Sequence, residues 1–252
     1  MKFIRIILYK ILGTGNYVNF VSYLYLQMVK LGLLKNKYPE LFFLKNLIKP
    51  CDTCIDIGAN VGYYSFFMLK HMGNSGKLYA IEPVEMFRRI WQKRIPKSKK
   101  AQYTLFPYAL GEENVKVTMG TPSINGVVHH GMTKIIDKIA DNIVAAHEVE
   151  MRIPDELFEN IPNINFLKID VEGYESIVFD NMHKTIKRTL PIIQAELSGK
   201  QNRHKVINLL QSYGYSVCIL DIDKLKLLRP ELVDGINSDL YFIPESKKEL
   251  FC

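Results

Sequence analysis

Cysteine is scarce in this chain and follows no pattern. The 252 residues hold four, Cys51, Cys54, Cys218 and Cys252. Their spacing gives no disulfide framework, and Cys51-x-x-Cys54 has no second pair with which to build a zinc site. Buried or incidental thiols in a reducing compartment follow, and with them a cytoplasmic location. A long apolar run is missing as well. Residues 11–29 carry no charge, but Gly13, Thr14, Gly15, Asn16, Asn19, Ser22 and Gln27 dilute them below what a transmembrane helix needs. The segment before them is too charged for a signal-peptide core and lacks a small-residue cleavage site. Repeats, low-complexity tracts and linkers are absent, so the length suits one sizeable α/β domain with an appendage.

Acidic residues are nearly missing from the first fifty positions. Eight Lys/Arg there (Lys2, Arg5, Lys10, Lys30, Lys35, Lys37, Lys45, Lys49) face Glu40 alone, which accounts for the whole net charge of +7. The remaining chain, 25 basic against 25 acidic residues, is neutral. A neutral main domain argues against a nucleic-acid partner, whose binding calls for a basic stripe. The chain therefore divides into a basic helical extension, 1–50, and a main domain, 51–252. In the extension, Lys2, Arg5 and Lys10 share one side of a helix, while Phe3, Ile4, Ile7, Leu8 and Ile11 share the other. Three readings stay open for it: an interfacial helix contacting an anionic membrane surface at the inner face, a lid, or a helix packed on its own domain.

The dinucleotide fingerprint G-x-G-x-x-G is also missing, because position 60 is Asn. What stands at 54–65 is Cys-Ile-Asp-Ile-Gly-Ala-Asn-Val-Gly-Tyr-Tyr-Ser, a short apolar strand, a glycine turn and a helix start. Such a turn lets a ligand approach the backbone, and a helix start presents unpaired N–H groups. Asp56, inside the strand end, would repel a pyrophosphate and suits a cationic ligand. S-adenosylmethionine, with a sulfonium, an ammonium and no phosphate, meets that demand. A second strand, 77–83, ends in Glu82-Pro83 about twenty residues on, where an acid accepts hydrogen bonds from ribose hydroxyls. A third motif, Lys-Ile-Asp-Val-Glu-Gly-Tyr-Glu at 168–175, sets Asp170 and Glu172 just past another apolar strand.

The set D-I-G-A-N-x-G, E-P, A-L-G at 109–111 and K-I-D-V-E-G-x-E resembles the FkbM family of S-adenosylmethionine-dependent methyltransferases, over about residues 47–243. The resemblance implies methylation of oxygen, on a hydroxyl of a sugar, glycolipid or other small metabolite. It implies a doubly wound class I methyltransferase sheet, Rossmann-like, which the alternating pattern supports with seven principal strands at 54–58, 77–82, 103–109, 164–170, 191–197, 215–220 and 238–243. On the cofactor side, Gly58, Ala59 and Asn60 would line the methionine tail, with Asp56 behind them contacting the ammonium directly or through water. Gly62 would begin the helix, Glu82 would hold the ribose, and Ala109 would lie near the adenine.

An aliphatic hydroxyl is a poor nucleophile at neutral pH, so the acceptor side needs a base or a metal. Asp170, Glu172 and Glu196 fall at strand C-terminal ends, with Asp170 the first choice. Residues 120–150 lack a clear period and carry an Asn125-Gly126 turn signal, which suggests an inserted hairpin that holds the acceptor. His130 within it is the alternative base. Asp170 and Glu196 have no evident third ligand, so no metal is expected. A methyltransferase acting on RNA or protein and a non-catalytic cofactor-binding module are the competing readings. Oligomeric state is not legible in the sequence.

Overall fold

The computed structural model describes residues 2–124, 127–136, 142–236 and 238–251. Helix α1 (Lys2–Lys30) bends at Gly13, whose φ of 70° and ψ of 167° lie outside the helical region and break the helix into two runs. Helix α2 (Pro39–Leu47) starts on a proline, which costs nothing where the amide would lack a partner anyway. Alternation then begins with β1 (Thr53–Ile57), α3 (Tyr63–His71), β2 (Lys77–Ile81), α4 (Glu85–Arg94) and β3 (Tyr103–Phe106). The strand expected over 103–109 is broken at Pro107, which cannot donate to a ladder, and resumes as β4 (Tyr108–Leu110) in a different sheet.

The insertion follows as β5 (Lys116–Ile124), β6 (Val127–Val128), β7 (Lys134–Ile135) and β8 (Ile143–Arg152). Strand β5 pairs antiparallel with β8, with an irregular register between Thr121 and Pro122, and hairpins onto β6. The Asn125-Gly126 turn signal itself lies outside the described residues. The fold continues with α5 (Pro154–Leu157), β9 (Phe166–Ile169), α6 (Glu175–Asp180), α7 (His183–Thr189), β10 (Ile192–Ala195), α8 (Lys200–Ser212), β11 (Tyr215–Asp221), β12 (Lys224–Leu227) and β13 (Leu240–Pro244).

The main sheet runs β12-β11-β13-β10-β9-β1-β2-β3, with β3, β2, β1, β9 and β10 mutually parallel and β13 antiparallel between β10 and β11. It has eight strands where seven were expected. The additional one is β12, a short edge strand of sequence Lys-Leu-Lys-Leu in which Leu225 alone is buried. Helices cover both faces. Residues of α6, α7 and α8 pack on Ile55, Ile57, Leu167 and Ile169, while α1, α2 and α3 pack on Cys54, Leu78 and Phe166. Successive residues of a strand face opposite sides, so the apolar runs of β1 and β9 serve two cores at once. Strand order reverses at β1, between β2 and β9, and the crevice at the C-terminal ends of those strands is where ligands bind in open sheets of this kind.

Candidate active site

The turn after β1 is shaped by its own protein neighbours. Gly58 has a φ of 78°, and a Cβ there would overlap the carbonyl oxygen of Asp170. Gly62 has a φ of 91°, and its Cβ would stand 2.9 Å from Trp91 Cδ1. Gly58 therefore admits the end of β9, and Gly62 the α4 tryptophan. Asn60 takes a left-handed φ of 47°, which asparagine tolerates better than most residues. Its N–H donates to Glu82 Oε2 at 2.9 Å, and the N–H of Val84 donates to Oε1 at 2.8 Å. The Glu82 carboxylate is thus fixed by two amides, one from each strand-end turn. Burial raises its pKa to about 7, against the pull of those two amides.

Asp56 stands apart from the cleft. It shares the face of β1 that carries Cys54, is fully buried, and accepts Ser65 Oγ at 2.5 Å and the Ser65 backbone N–H. Trp91 Nε1 donates in turn to Ser65 Oγ at 2.8 Å. The carboxylate anchors the first turn of α3, where it also suits the helix dipole. Burial raises its pKa, and the Lys168 charge opposes that rise. Its Oδ1 has no protein partner among the described residues. Ala59 and Gly62 likewise belong to the scaffold beneath the cleft and do not line it.

The cleft is narrow, with a cavity volume of about 60 Å³. Gly58, Asn60, Glu82, Ala109, His130, Asp170 and Glu172 line it together. Glu196, at the end of β10, is exposed and lies outside the lining, its N–H donating to Ile169 O at 3.1 Å. Its pKa rises to about 7 through partial burial and the neighbouring Asp170 and Asp239 carboxylates. Among the described residues, three carboxylate side chains and no lysine or arginine line the cleft. That wall fits a sulfonium and an ammonium and would repel a pyrophosphate.

The K-I-D-V-E-G loop supplies the far wall. Asp170 Oδ2 accepts from Lys168 Nζ at 3.1 Å, and the lysine is almost wholly buried, its ammonium 4.6 Å from the centre of the Tyr64 ring. Burial works to neutralise that lysine, but Asp170, Asp56 and Asp239 outweigh it and raise its pKa. Glu172 sits at a φ of 56°, an uncommon backbone state for glutamate. Burial, then Asp170, Glu196 and Glu175, push its pKa to about 8. The loop is held from below by Glu175, whose Oε1 accepts the N–H groups of Val171 (3.0 Å) and Gly173 (3.1 Å). Lys168 was not singled out from the sequence. The two-residue spacing of Lys168 and Asp170, which puts both on one face, was the available signal.

The insertion closes the cleft through His130. Asn60 Nδ2 donates to the His130 carbonyl at 3.3 Å, which turns Asn60 Oδ1 toward His130 Nδ1 at 3.0 Å. The oxygen can only accept, so Nδ1 carries the hydrogen and Nε2 keeps a lone pair. Burial, then the neighbouring His129, lower the His130 pKa to about 4, so the ring is neutral at physiological pH. Among the described residues no three His, Cys, Asp or Glu side chains are grouped to hold a metal ion.

A doubly wound sheet with an acid-lined crevice at its reversal point is the Rossmann-like architecture of the class I methyltransferases, and S-adenosylmethionine is the cofactor of that class. More narrowly, the profile of the FkbM methyltransferase domain matches residues 56–217, and the chain belongs to that family. Similar solved structures include an FkbM methyltransferase from Methylobacillus flagellatus (15% identity, TM-score 0.49), of which this chain covers 43% with 76% of its own length. An S-adenosylmethionine-dependent O-methyltransferase from Thermotoga maritima aligns at 12% identity and TM-score 0.41, over 82% of this chain and 63% of that one. Fibrillarin from Aeropyrum pernix, in complex with S-adenosyl-L-methionine, aligns at 13% and 0.43, over 78% and 66%. The chain thus spans less than half the length of the first of these. No curated protein matches it.

Proposed function

We propose that the protein methylates a hydroxyl oxygen of a sugar, glycolipid or other small metabolite, with Asp170 as the base. The observation that carries this reading is a carboxylate at the end of β9 lining the same cleft as Glu82 and Ala109, and tied to a buried lysine. Bound S-adenosylmethionine supplies a methyl group on a positively charged sulfur, ready for in-line displacement. Glu82 would accept the ribose hydroxyls on its remaining lone pairs, and the Ala109–Leu110 wall would cover the adenine. Gly58 and Asn60 would lie along the methionine portion. The α3 turn that carries them depends on Asp56, Ala59 and Gly62.

As the new carbon–oxygen bond forms, the acceptor hydroxyl would give its proton to Asp170. Lys168 holds that carboxylate in one orientation. Glu172, with its pKa near 8, carries a proton at neutral pH and would serve as a hydrogen-bond donor to the acceptor rather than as its base. His130 Nε2 is the alternative base, with its lone pair free because burial and the neighbouring His129 keep the ring neutral. The neutral main domain supports a small-molecule or glycan acceptor over a nucleic acid.

Single-turnover transfer tests the assignment. Asp170→Asn should lower the rate by about 10²–10⁴-fold while cofactor affinity changes far less. Near wild-type transfer in Asp170→Asn together with a dead His130→Ala would move the base into the insertion.

A further inference from the structure

The outer face of α1 is built unlike a free surface helix. Its inner side is buried through Tyr17, Val18, Leu26 and Val29, which pack on α4, α2 and α3. The opposite side presents Phe20, Tyr23, Leu24, Met28 and Leu31, each between 41% and 74% exposed. An ordinary surface helix is charged on that side, whereas here no charged residue occurs between Lys10 and Lys30. The patch runs on through exposed Leu33, and over residues 20–31 alone it spans about 16 Å of helix. Contiguous apolar surface of this kind marks a place where something docks.

The charges around it say what. Lys10 at one end and Lys30, Lys35 and Lys37 at the other are exposed, and Glu40 is the only acid before residue 52. Beside the patch, a groove of about 830 Å³ separates the α1–α2 connection from α3. Lys30, Lys35, Lys45, Lys70 and His71 line it with Phe42 and Phe67, and among the described residues Asp223 is the one acid in its walls. Among the described residues, none of the four lysines forms an ion pair with a carboxylate. Lys30 rests instead on the Phe66 ring at 4.1 Å, and burial, then Arg94 and Lys70, lower its pKa. Crowded like charges around an empty groove are relieved by anions.

We propose that this face docks on a bilayer containing anionic phospholipid. The apolar residues of α1 would enter the acyl boundary, and the groove lysines would meet lipid phosphates. No described helix is long and apolar enough to cross a membrane, so α1 lies along the surface. A second copy of the chain is the poorer occupant, because it would bring a surface of the same positive charge against the patch. The face also backs onto the cleft, since Val18 and Tyr17 belong to the same cluster as Phe87, a cleft residue. The docking is independent of which acceptor the cleft takes.

Vesicle co-sedimentation of the full chain tests it, with phosphatidylcholine vesicles against vesicles containing about 30% phosphatidylglycerol, each at low and high salt. Binding to the anionic vesicles should exceed that to neutral ones by about 10–100-fold and fall steeply with salt. Two combined variants separate the contributions: Phe20→Ser, Leu24→Ser and Met28→Ser together, and Lys30→Glu, Lys35→Glu and Lys45→Glu together. Each should lose tenfold or more of the binding, with thermal unfolding and cofactor affinity at wild-type values. Equal binding to both vesicle types, or none, overturns the proposal. So does a wild-type dimer in sedimentation velocity that the serine variant abolishes, which would assign the patch to a second copy.

Discussion

Cofactor binding should release a proton, and Glu82 should be its source. In the free protein this carboxyl is buried, with a pKa of about 7, because the loss of water outweighs the two amides that hold it. At pH 6 about nine in ten copies therefore carry the proton, and at pH 8 about one in ten. Ribose hydroxyls donating to the carboxylate favour its charged form, so the bound pKa falls. By linkage, affinity must rise with pH through the free-state pKa, by about tenfold between pH 6 and pH 8 if the bound value drops to 5 or below. Isothermal titration in buffers of different ionisation enthalpy reads the released protons directly. Glu82→Gln cannot titrate and loses a charge-assisted hydrogen bond, which costs about 1.5–3 kcal/mol, or 10–100-fold in affinity. Its affinity should also lose the pH dependence that Glu82 contributes, and any slope that survives would belong to Glu172. A wild-type affinity that is flat from pH 6 to 8, or a slope untouched in Glu82→Gln, would refute this reasoning.

Asp56→Asn should act on stability before it acts on binding, since the carboxylate serves Ser65 and Lys168 rather than the cleft. Urea denaturation should show a loss of about 2–4 kcal/mol with a cofactor affinity closer to wild type than that of Glu82→Gln; an unchanged midpoint with collapsed affinity would restore the direct contact. Glu172 should make the protein less stable on the alkaline side. Its folded pKa of about 8 lies above its unfolded value, so its contribution is complete below about pH 4.5 and lost as pH rises through 8. Allowing for solvent screening of a half-buried group, about 1–2 kcal/mol should disappear between pH 6 and 9, and Glu172→Gln should flatten that limb of a pH–melting curve. A variant curve that still falls like wild type would exclude Glu172 as the cause.

The parts of this fold legible in the sequence are those in which local pattern and tertiary role coincide. Parallel strands buried on both faces are mostly apolar, so β1, β2, β9 and β10 announce themselves by composition although each carries a polar residue such as Asp56, Lys77, Lys168 or Gln194. Edge strand β12 buries one residue and carries two lysines, so it has little pattern to read. Strand β8 does alternate, but Val144 and Ala146 face out where polar residues would have revealed the period. The stretch from Glu175 to Thr189 folds as two helices, α6 and α7. The second begins at His183, where Asp155 accepts the N–H groups of Lys184 (3.0 Å) and Thr185 (2.8 Å) from thirty residues away. A cap supplied from that distance leaves no local trace.

The cofactor wall shows the same division more sharply. Glu82, Gly58 and Asn60 are near one another because β1 and β2 are neighbours, and that adjacency follows from the βαβ order of the chain. Which way Asp56 points depends on register. Its pairing opposite Ala80 and Lys168 sets it on the α3 side of the sheet, while Ile57, one residue on, is the one that reaches the cleft. A shift of one residue would exchange those roles. The two glycines tell a related story: their positive φ angles were implied by the motif, yet what needs the space is the Asp170 carbonyl and the Trp91 ring. In D-I-G-A-N-x-G and K-I-D-V-E-G, then, several of the positions that look like ligand contacts serve to join the two strand ends to each other. Of the four motifs' expected residues, Gly58, Asn60, Glu82, Ala109, Asp170 and Glu172 reach the cleft, carried there by turns whose geometry the others maintain.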